Sequence, residues 1–315
     1  MNKTNENQAP IHSSSKPLVA VIGASGTMGQ CAVDSLLERG APIRVMTRNE
    51  KSLAHLPSSI ERVVGDSARI DDLVRALDGV SAVFYVSPHT PDEERLTENV
   101  VRAIERTGTR LVFAGVHIDG GSKITRALMR TMLGFYAPHY RPKMRAAETA
   151  RCARDSIVLM PSNFCQNDEL FRDAILDGAF PSPFAAGGMN RVDVRDVGDA
   201  AARALLDPTM RAGAYPVIGP ESPNGADCAT AWSRELGYEV RYTGASDDWK
   251  RHVEATLTGH KRDDYLASFA MIAGYELPTN KEHLRQTTEL LGRPPRTYAE
   301  YVRDTAARWR KARAA

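Results

Sequence analysis

Val21-Ile22-Gly23-Ala24-Ser25-Gly26-Thr27-Met28-Gly29 is the stretch that decides how this chain folds. It continues a short apolar run, Pro17-Leu18-Val19-Ala20-Val21-Ile22, of the kind that forms a parallel strand buried on both faces. Beyond it Met28, Ala32, Val33 and Leu36-Leu37 recur at helical spacing. Glycines at every third position between a strand and a helix suit the approach of a phosphate. Gly23 allows the tight turn, Gly26 lets the backbone come close to a pyrophosphate, and Gly29 lets the helix pack against the sheet. The helix start adds unpaired N–H groups and a positive dipole end, so Ser25, Thr27 and Met28 join the glycines as candidate contacts. The strand–turn–helix setting gives the pattern its weight.

The same alternation continues outward. Pro42–Met46, Arg62–Val64, Ala82–Val86 and Leu111–Ala114 read as strands, with helical patterns between them. Five strand-then-helix units in a row require right-handed crossovers and a parallel, doubly wound sheet. After Gly115 the rhythm breaks over residues 116–142, with an amphipathic stretch at 124–133. A helix restarts near Lys143, and Ile157–Met160 reads as a sixth strand stopped by Pro161. Asp196 is expected to cap a helix over 197–206. Helical patterns fill 226–236, 247–257, 261–273, 281–291 and 298–311, with one short strand at 240–242. Thr297 and Glu300 have capping-box spacing. The expected organisation is a disordered tail over 1–16, a dinucleotide-binding unit over 17–160, and a mainly substrate-binding, mostly helical lobe over 161–315. Residues 192–220 return to the first unit.

The end of the second strand selects the cofactor. Enzymes that use NAD place Asp or Glu there for the ribose hydroxyl. This chain has Thr47-Arg48-Asn49, with Lys51 close behind, and no carboxylate before Glu50. A guanidinium at that point grips a 2′-phosphate bidentately, which predicts NADP(H). Asp66-Ser67 after the third strand and Ser87-Pro88 after the fourth are the candidates for the adenine and nicotinamide-ribose ends.

Composition narrows the alternatives. Lys and Arg number 41 against 39 Asp and Glu, which argues against a nucleic-acid partner. No apolar run approaches a membrane span, and residues 1–16 lack the apolar core of a secretory signal. The four cysteines have no metal-ligand spacing and the eight histidines form no H-E-x-x-H, so no metal is expected. A cytoplasmic protein with reduced thiols is the simplest expectation.

Further stretches extend the pattern: Val64-Gly65-Asp66, Lys143 with Glu148, the run from Leu159 to Asn167, Val192–Val197, Ile218–Glu221 and Leu291–Pro295. Together with the glycine turn they resemble the NmrA-like family, atypical members of the short-chain dehydrogenase/reductase superfamily. Met160 stands where an Arg is frequent in that family. The resemblance implies a Rossmann-type fold over residues 17–312 and cofactor contacts from Asn163, Phe164 and Lys143. Two functions follow from it. One is an NADPH-dependent reductase of a small, flat, largely apolar carbonyl, quinone or conjugated substrate. The other is an NADP(H)-binding redox sensor without turnover. The superfamily's Tyr-x-x-x-Lys is broken, because His139 lies four residues before Lys143 and Tyr140 only three. The proton source is left open among His139, Tyr140 and water near Lys143. An apolar pocket is expected from the 116–142 segment and from Phe164, Leu170, Phe171, Phe180 and Phe184.

Overall fold

The computed structural model describes residues 16–117 and 140–314. The expected tail, the amphipathic stretch at 124–133 and His139 lie outside the described residues. Seven parallel strands form one sheet: β1 (Val19–Ile22), β2 (Ile43–Thr47), β3 (Glu61–Val64), β4 (Ala82–Tyr85), β5 (Arg110–Ala114), β6 (Ile157–Pro161) and β7 (Gly213–Val217). Their order is β7-β6-β5-β4-β1-β2-β3. At the centre Val21 pairs with Val45 on one side and Phe84 on the other. The described helices are α1 (Thr27–Glu38), α2 (Ile70–Leu77), α3 (Glu93–Thr107), α4 (Arg141–Cys152), α5 (Arg172–Leu176) and α6 (Val194–Leu206). They continue with α7 (Gly225–Leu236), α8 (Asp248–Thr256), α9 (Gly259–Gly274), α10 (Lys281–Leu291) and α11 (Tyr298–Ala314).

The pleat of β1 assigns its residues to two cores. Val19 and Val21 face a layer with Ala32, Val33 and Leu36 of α1 and Val197, Ala200 and Ala201 of α6. Ala20 and Ile22 face the other, with Leu73 and Leu77 of α2, Val100 and Ile104 of α3 and Ala146 and Ala147 of α4. Helices α1 and α6 meet at Gly198, where a Cβ would lie 2.4 Å from the Cys31 carbonyl oxygen. That approach buries the Cys31 thiol, and burial pushes its pKa up to about 12.

A third core belongs to the C-terminal helices. Trp232, Trp249, Phe269, Tyr301 and Trp309 pack with Phe171, Phe180 and Phe184. At its centre Arg191 and Asp168 form a fully buried ion pair at 2.7 Å. Asp168 also accepts from Tyr298 Oη at 2.5 Å and Trp232 Nε1 at 3.3 Å. Arg191 donates to the carbonyls of Phe164 and Cys165.

Three readings are corrected. The cap of α6 is Asp193, whose carboxylate accepts from Arg195 N at 2.9 Å. Asp196 lies inside the helix, where it ties Arg293 and Arg296 to α6. The sheet has a seventh strand, β7, which sequence reading missed because it contains Pro216. Proline is tolerated there because β7 is an edge strand paired only with β6. Two-residue strands at Asn163–Phe164 and Arg191–Val192 also pair, outside the main sheet. The capping box at α11 forms as read, with Thr297 N donating to Glu300 Oε2 and Glu300 N to Thr297 Oγ1.

Candidate functional site

The strand order reverses between β1 and β4, so a crevice opens at their carboxyl ends. The turn after β1 and the loop after β4 touch. A Cβ on Gly23 (φ +94°) would lie 2.8 Å from the Val86 carbonyl oxygen. A Cβ on Gly29 would lie 2.1 Å from the Gly23 carbonyl oxygen, inside any tolerable contact. Gly26 differs. Its backbone is ordinary extended chain (φ −86°, ψ 163°), and a Cβ would meet only Gly23 O at 3.5 Å. The protein itself therefore makes no demand for glycine at 26. Gly26 caps α1 without a side chain, and no acidic residue stands in the first turn. Ser25, Gly26 and Thr27 are exposed and Met28 is half-buried. These residues fit a pyrophosphate.

On the β2 side, Thr47 Oγ1 accepts from Asn49 N at 3.1 Å and Asn49 Oδ1 from Lys51 N at 3.0 Å. Those bonds fix the turn from within and leave the Arg48 and Lys51 side chains exposed. After β3, Asp66 Oδ1 accepts from Ala68 N at 2.9 Å, and Asn99 of α3 donates to the Ser67 carbonyl at 3.0 Å. Asp66 and Ser67 thus serve their own loop, which they hold at the crevice edge.

After β4 a buried triad forms. Lys143 Nζ of α4 lies 2.9 Å from Ser87 Oγ and 2.9 Å from Glu93 Oε1 of α3. Ser87 Oγ donates to the same carboxylate oxygen at 2.5 Å. Glu93 is fully buried and Lys143 is 6% exposed. The ammonium is therefore matched charge for charge. The resemblance implies a cofactor contact from Lys143, and the geometry pairs its ammonium with Glu93. Pro88 is exposed and does not line the adjoining cavity.

That cavity has a volume of about 340 Å³. Met28, Ser87, Lys143, Asn163 and Phe164 line it on the sheet side. Tyr265, Phe269, Met271 and Ile272 of α9, with Leu277 beyond it, close the opposite side. Of Phe164, Leu170, Phe171, Phe180 and Phe184, Phe164 lines it, and Tyr140 does so from the 116–142 segment. Phe171, Phe180 and Phe184 lie in the third core, and Leu170 packs against it. Their periodicity signalled burial correctly but could not say against what.

Three polar groups of the cavity escaped sequence reading. His89 Nδ1 lies 2.8 Å from Asp264 Oδ2. His117 Nε2 lies 2.9 Å from His283 Nδ1, and burial next to a second imidazole lowers the His117 pKa to about 4. The rule that selected Ser87, at the carboxyl end of β4, reaches His89 two residues on. No sequence signal marks Asp264, one acid among several on a helix. Tyr140 sits at the N-cap of α4. Its hydroxyl lies 3.1 Å from Ser268 Oγ, and burial raises its pKa.

The doubly wound sheet, the glycine turn at its switch point and the adjoining apolar cavity define an NAD(P)H-dependent oxidoreductase. The NAD(P)H-binding family model matches residues 23–208, more than half of the chain, and the chain belongs to that family. It is similar to the NAD(P)H azoreductase of Xenophilus azovorans, with 27% identity over 297 residues, 92% of this chain and 98% of that protein. The fold is that of triphenylmethane reductase from Citrobacter sp., with TM-score 0.74, 19% identity and coverage of 92% and 99%. It is equally that of NmrA, a negative transcriptional regulator in complex with NADP, with TM-score 0.73, 16% identity and coverage of 96% and 98%. The NmrA-like resemblance holds. Among the described residues no helix is long and apolar enough to cross a membrane, and no group of three metal-binding side chains occurs.

Proposed function

We propose that the protein is an NADPH-dependent reductase of a small, flat, largely apolar acceptor bearing a carbonyl, quinone or conjugated group. An azo-linked aromatic, the acceptor class named in the Xenophilus relative, falls within it. The observation that carries this reading is the cavity of about 340 Å³ between the glycine turn and α9, walled mainly by Met28, Phe164, Phe269, Met271 and Ile272. Gly23, Ser25, Gly26, Thr27, Met28 and Gly29 hold the pyrophosphate, and Arg48 with Lys51 holds the 2′-phosphate. Asp66 and Ser67 shape the adenine end. Ser87 and Lys143 meet the nicotinamide ribose, and Asn163 and Phe164 bound the nicotinamide site. The bound cofactor supplies the hydride. The chain orients it, keeps water from the apolar wall and delivers a proton.

The sensor reading draws on two observations: Lys143 is paired with Glu93, and His139 stands where the superfamily has its Tyr. One assay separates the two. Purified protein is mixed with NADPH or NADH and a panel of naphthoquinones, azo dyes and aromatic enones, and loss of reduced cofactor is followed. The reductase consumes NADPH in preference to NADH with at least one acceptor. Tight NADPH binding without consumption of any kind would replace the reductase by the sensor.

A further inference from the structure

Within the triad at Ser87 the Lys143 ammonium is committed to Glu93, so the proton must come from another group. Addition of a hydride to a quinone or carbonyl places negative charge on oxygen, and that oxygen must gain a proton. We infer that His89, oriented by Asp264, is the proton donor of this reduction; the inference rests on the reductase reading above.

Three observations converge on it. His89 lines the cavity two residues beyond Ser87, at the carboxyl end of β4 where the nicotinamide end is expected. Its Nδ1 faces Asp264 Oδ2 at 2.8 Å, so Nδ1 carries a hydrogen and Nε2 is the exchanging atom. Nε2 makes no hydrogen bond to the described residues, and the side chain is 33% exposed, which lets water restore the proton. The other cavity groups are worse acids at neutral pH. His117, beside His283, is held neutral, and the Tyr140 phenol is pushed up by burial. Among the described residues, the charged and titratable groups of the cavity around His89 are Asp264 and Tyr265 of α9, Tyr140 and Lys143 at the start of α4, Glu93 paired with that lysine, and His117. Asp264 comes from α9 and His89 from the loop after β4, so the pair also joins the two sides of the cavity.

The step balances as follows. The acceptor takes one hydride from NADPH, which becomes NADP⁺, and the acceptor oxygen takes one proton from His89 Nε2–H. The N–H bond breaks, an O–H bond forms, and water returns a proton to Nε2. Asp264 acts as a positioning residue.

The test uses the full-length protein, His89→Gln and Asp264→Ala, with two acceptors. A naphthoquinone needs hydride and proton. A cationic triarylmethane dye needs hydride alone, because the hydride neutralises the cation. His89→Gln should lose about 10²–10⁴-fold in quinone kcat. Its NADPH titration and melting curve should match the parent. Any dye reduction should persist. Independently of turnover, nitrogen NMR of the parent should find the neutral His89 proton on Nδ1, and Asp264→Ala should abolish that preference. Quinone turnover by His89→Gln at the parental rate would overturn the proposal and leave the reductase reading standing. Equal losses on quinone and dye would also overturn it, by making His89 a packing residue. Loss of quinone turnover by Tyr140→Phe alone would assign the donor to the phenol. A parent that consumes no NADPH with any acceptor would remove the reductase reading and this inference together.

Discussion

The turn from Gly23 to Gly29 is one continuous stretch of chain, whereas the cavity beside it gathers Ser87, Lys143, Phe164, Asp264 and Leu277 from separate elements. The turn works through backbone: bare Cα atoms, an open helix start and a tight contact with Val86. The cavity works through side chains paired across elements: Lys143 on Glu93, His89 on Asp264, and Arg191 on Asp168 behind Phe164. The first arrangement is set by local sequence. The second exists only after the C-terminal helices dock. The two regions should therefore fail differently when perturbed.

The largest effect is expected in the cavity's support. Asp168 and Arg191 are both fully buried, and Arg191 also holds the Phe164 carbonyl at 3.0 Å. Asp168→Ala leaves a guanidinium in the core without its counter-charge, which costs about 3–5 kcal/mol. Chemical denaturation should show that loss, with a fall in soluble yield. A midpoint within error of the parent would mean that water reaches this core.

Next comes a contrast inside the turn. Gly29→Ala drives a Cβ into the Gly23 backbone and should cost at least about 1–3 kcal/mol, seen as a lower melting temperature. Gly26→Val should melt with the parent, because its extended backbone suits a branched residue and only Gly23 O lies near. It should nevertheless bind no NADPH in a fluorescence titration. Equal melting losses in the two variants would erase the distinction between a structural and a ligand-facing glycine. Normal NADPH binding by Gly26→Val would move the phosphate site elsewhere.

This contrast explains what the sequence could tell. Every feature of the turn is encoded within a few residues, so strand, turn and helix were all readable from Val19 to Leu37. The five strand–helix units were readable for the same reason. The helix at Lys143 was placed by its spacing and Pro142, yet its partner Glu93 was not. A carboxylate in the first turn of a helix reads as a dipole partner until packing buries it. Val192-Asp193-Val194-Arg195-Asp196-Val197 offers two acids three residues apart, and only the geometry shows that Asp193 caps. Strand β7 was hidden by Pro216, and the aromatic residues from 171 to 184 carried no label for which core they fill. His139, weighed as a proton source, lies outside the described residues.

A smaller effect tests the exposed rim of the turn. Arg48 is free of ion pairs among the described residues and is presented by a turn that Thr47 and Asn49 fix. Arg48→Glu should weaken NADPH relative to NADH by about 10–100-fold, the worth of a charge-assisted contact. The fold should not change, since the side chain is exposed. Competitive titration of both cofactors gives the ratio. An unchanged ratio would shift selectivity to Lys51 or another residue.

The smallest expected effect distinguishes the two cavity histidines by pH. His89 faces a carboxylate, while His117 faces His283. Burial holds His117 neutral down to about pH 4, although an unfolded histidine titrates near 6.5. Between those values the unfolded chain binds a proton that the native protein does not, so stability falls as pH falls. This contribution is complete above about 6.5 and is lost progressively toward 4, at no more than about 1.4 kcal/mol per pH unit. Carboxylates held low in the native state act in the same direction, so the parent alone cannot isolate the imidazole. His117→Gln can, because it keeps polar size and removes one titration. Urea midpoints at pH 7 and pH 5 should therefore lie closer together in His117→Gln than in the parent. An identical gap in both proteins would show that His117 protonates in place, and the two histidines would then be electrostatically alike.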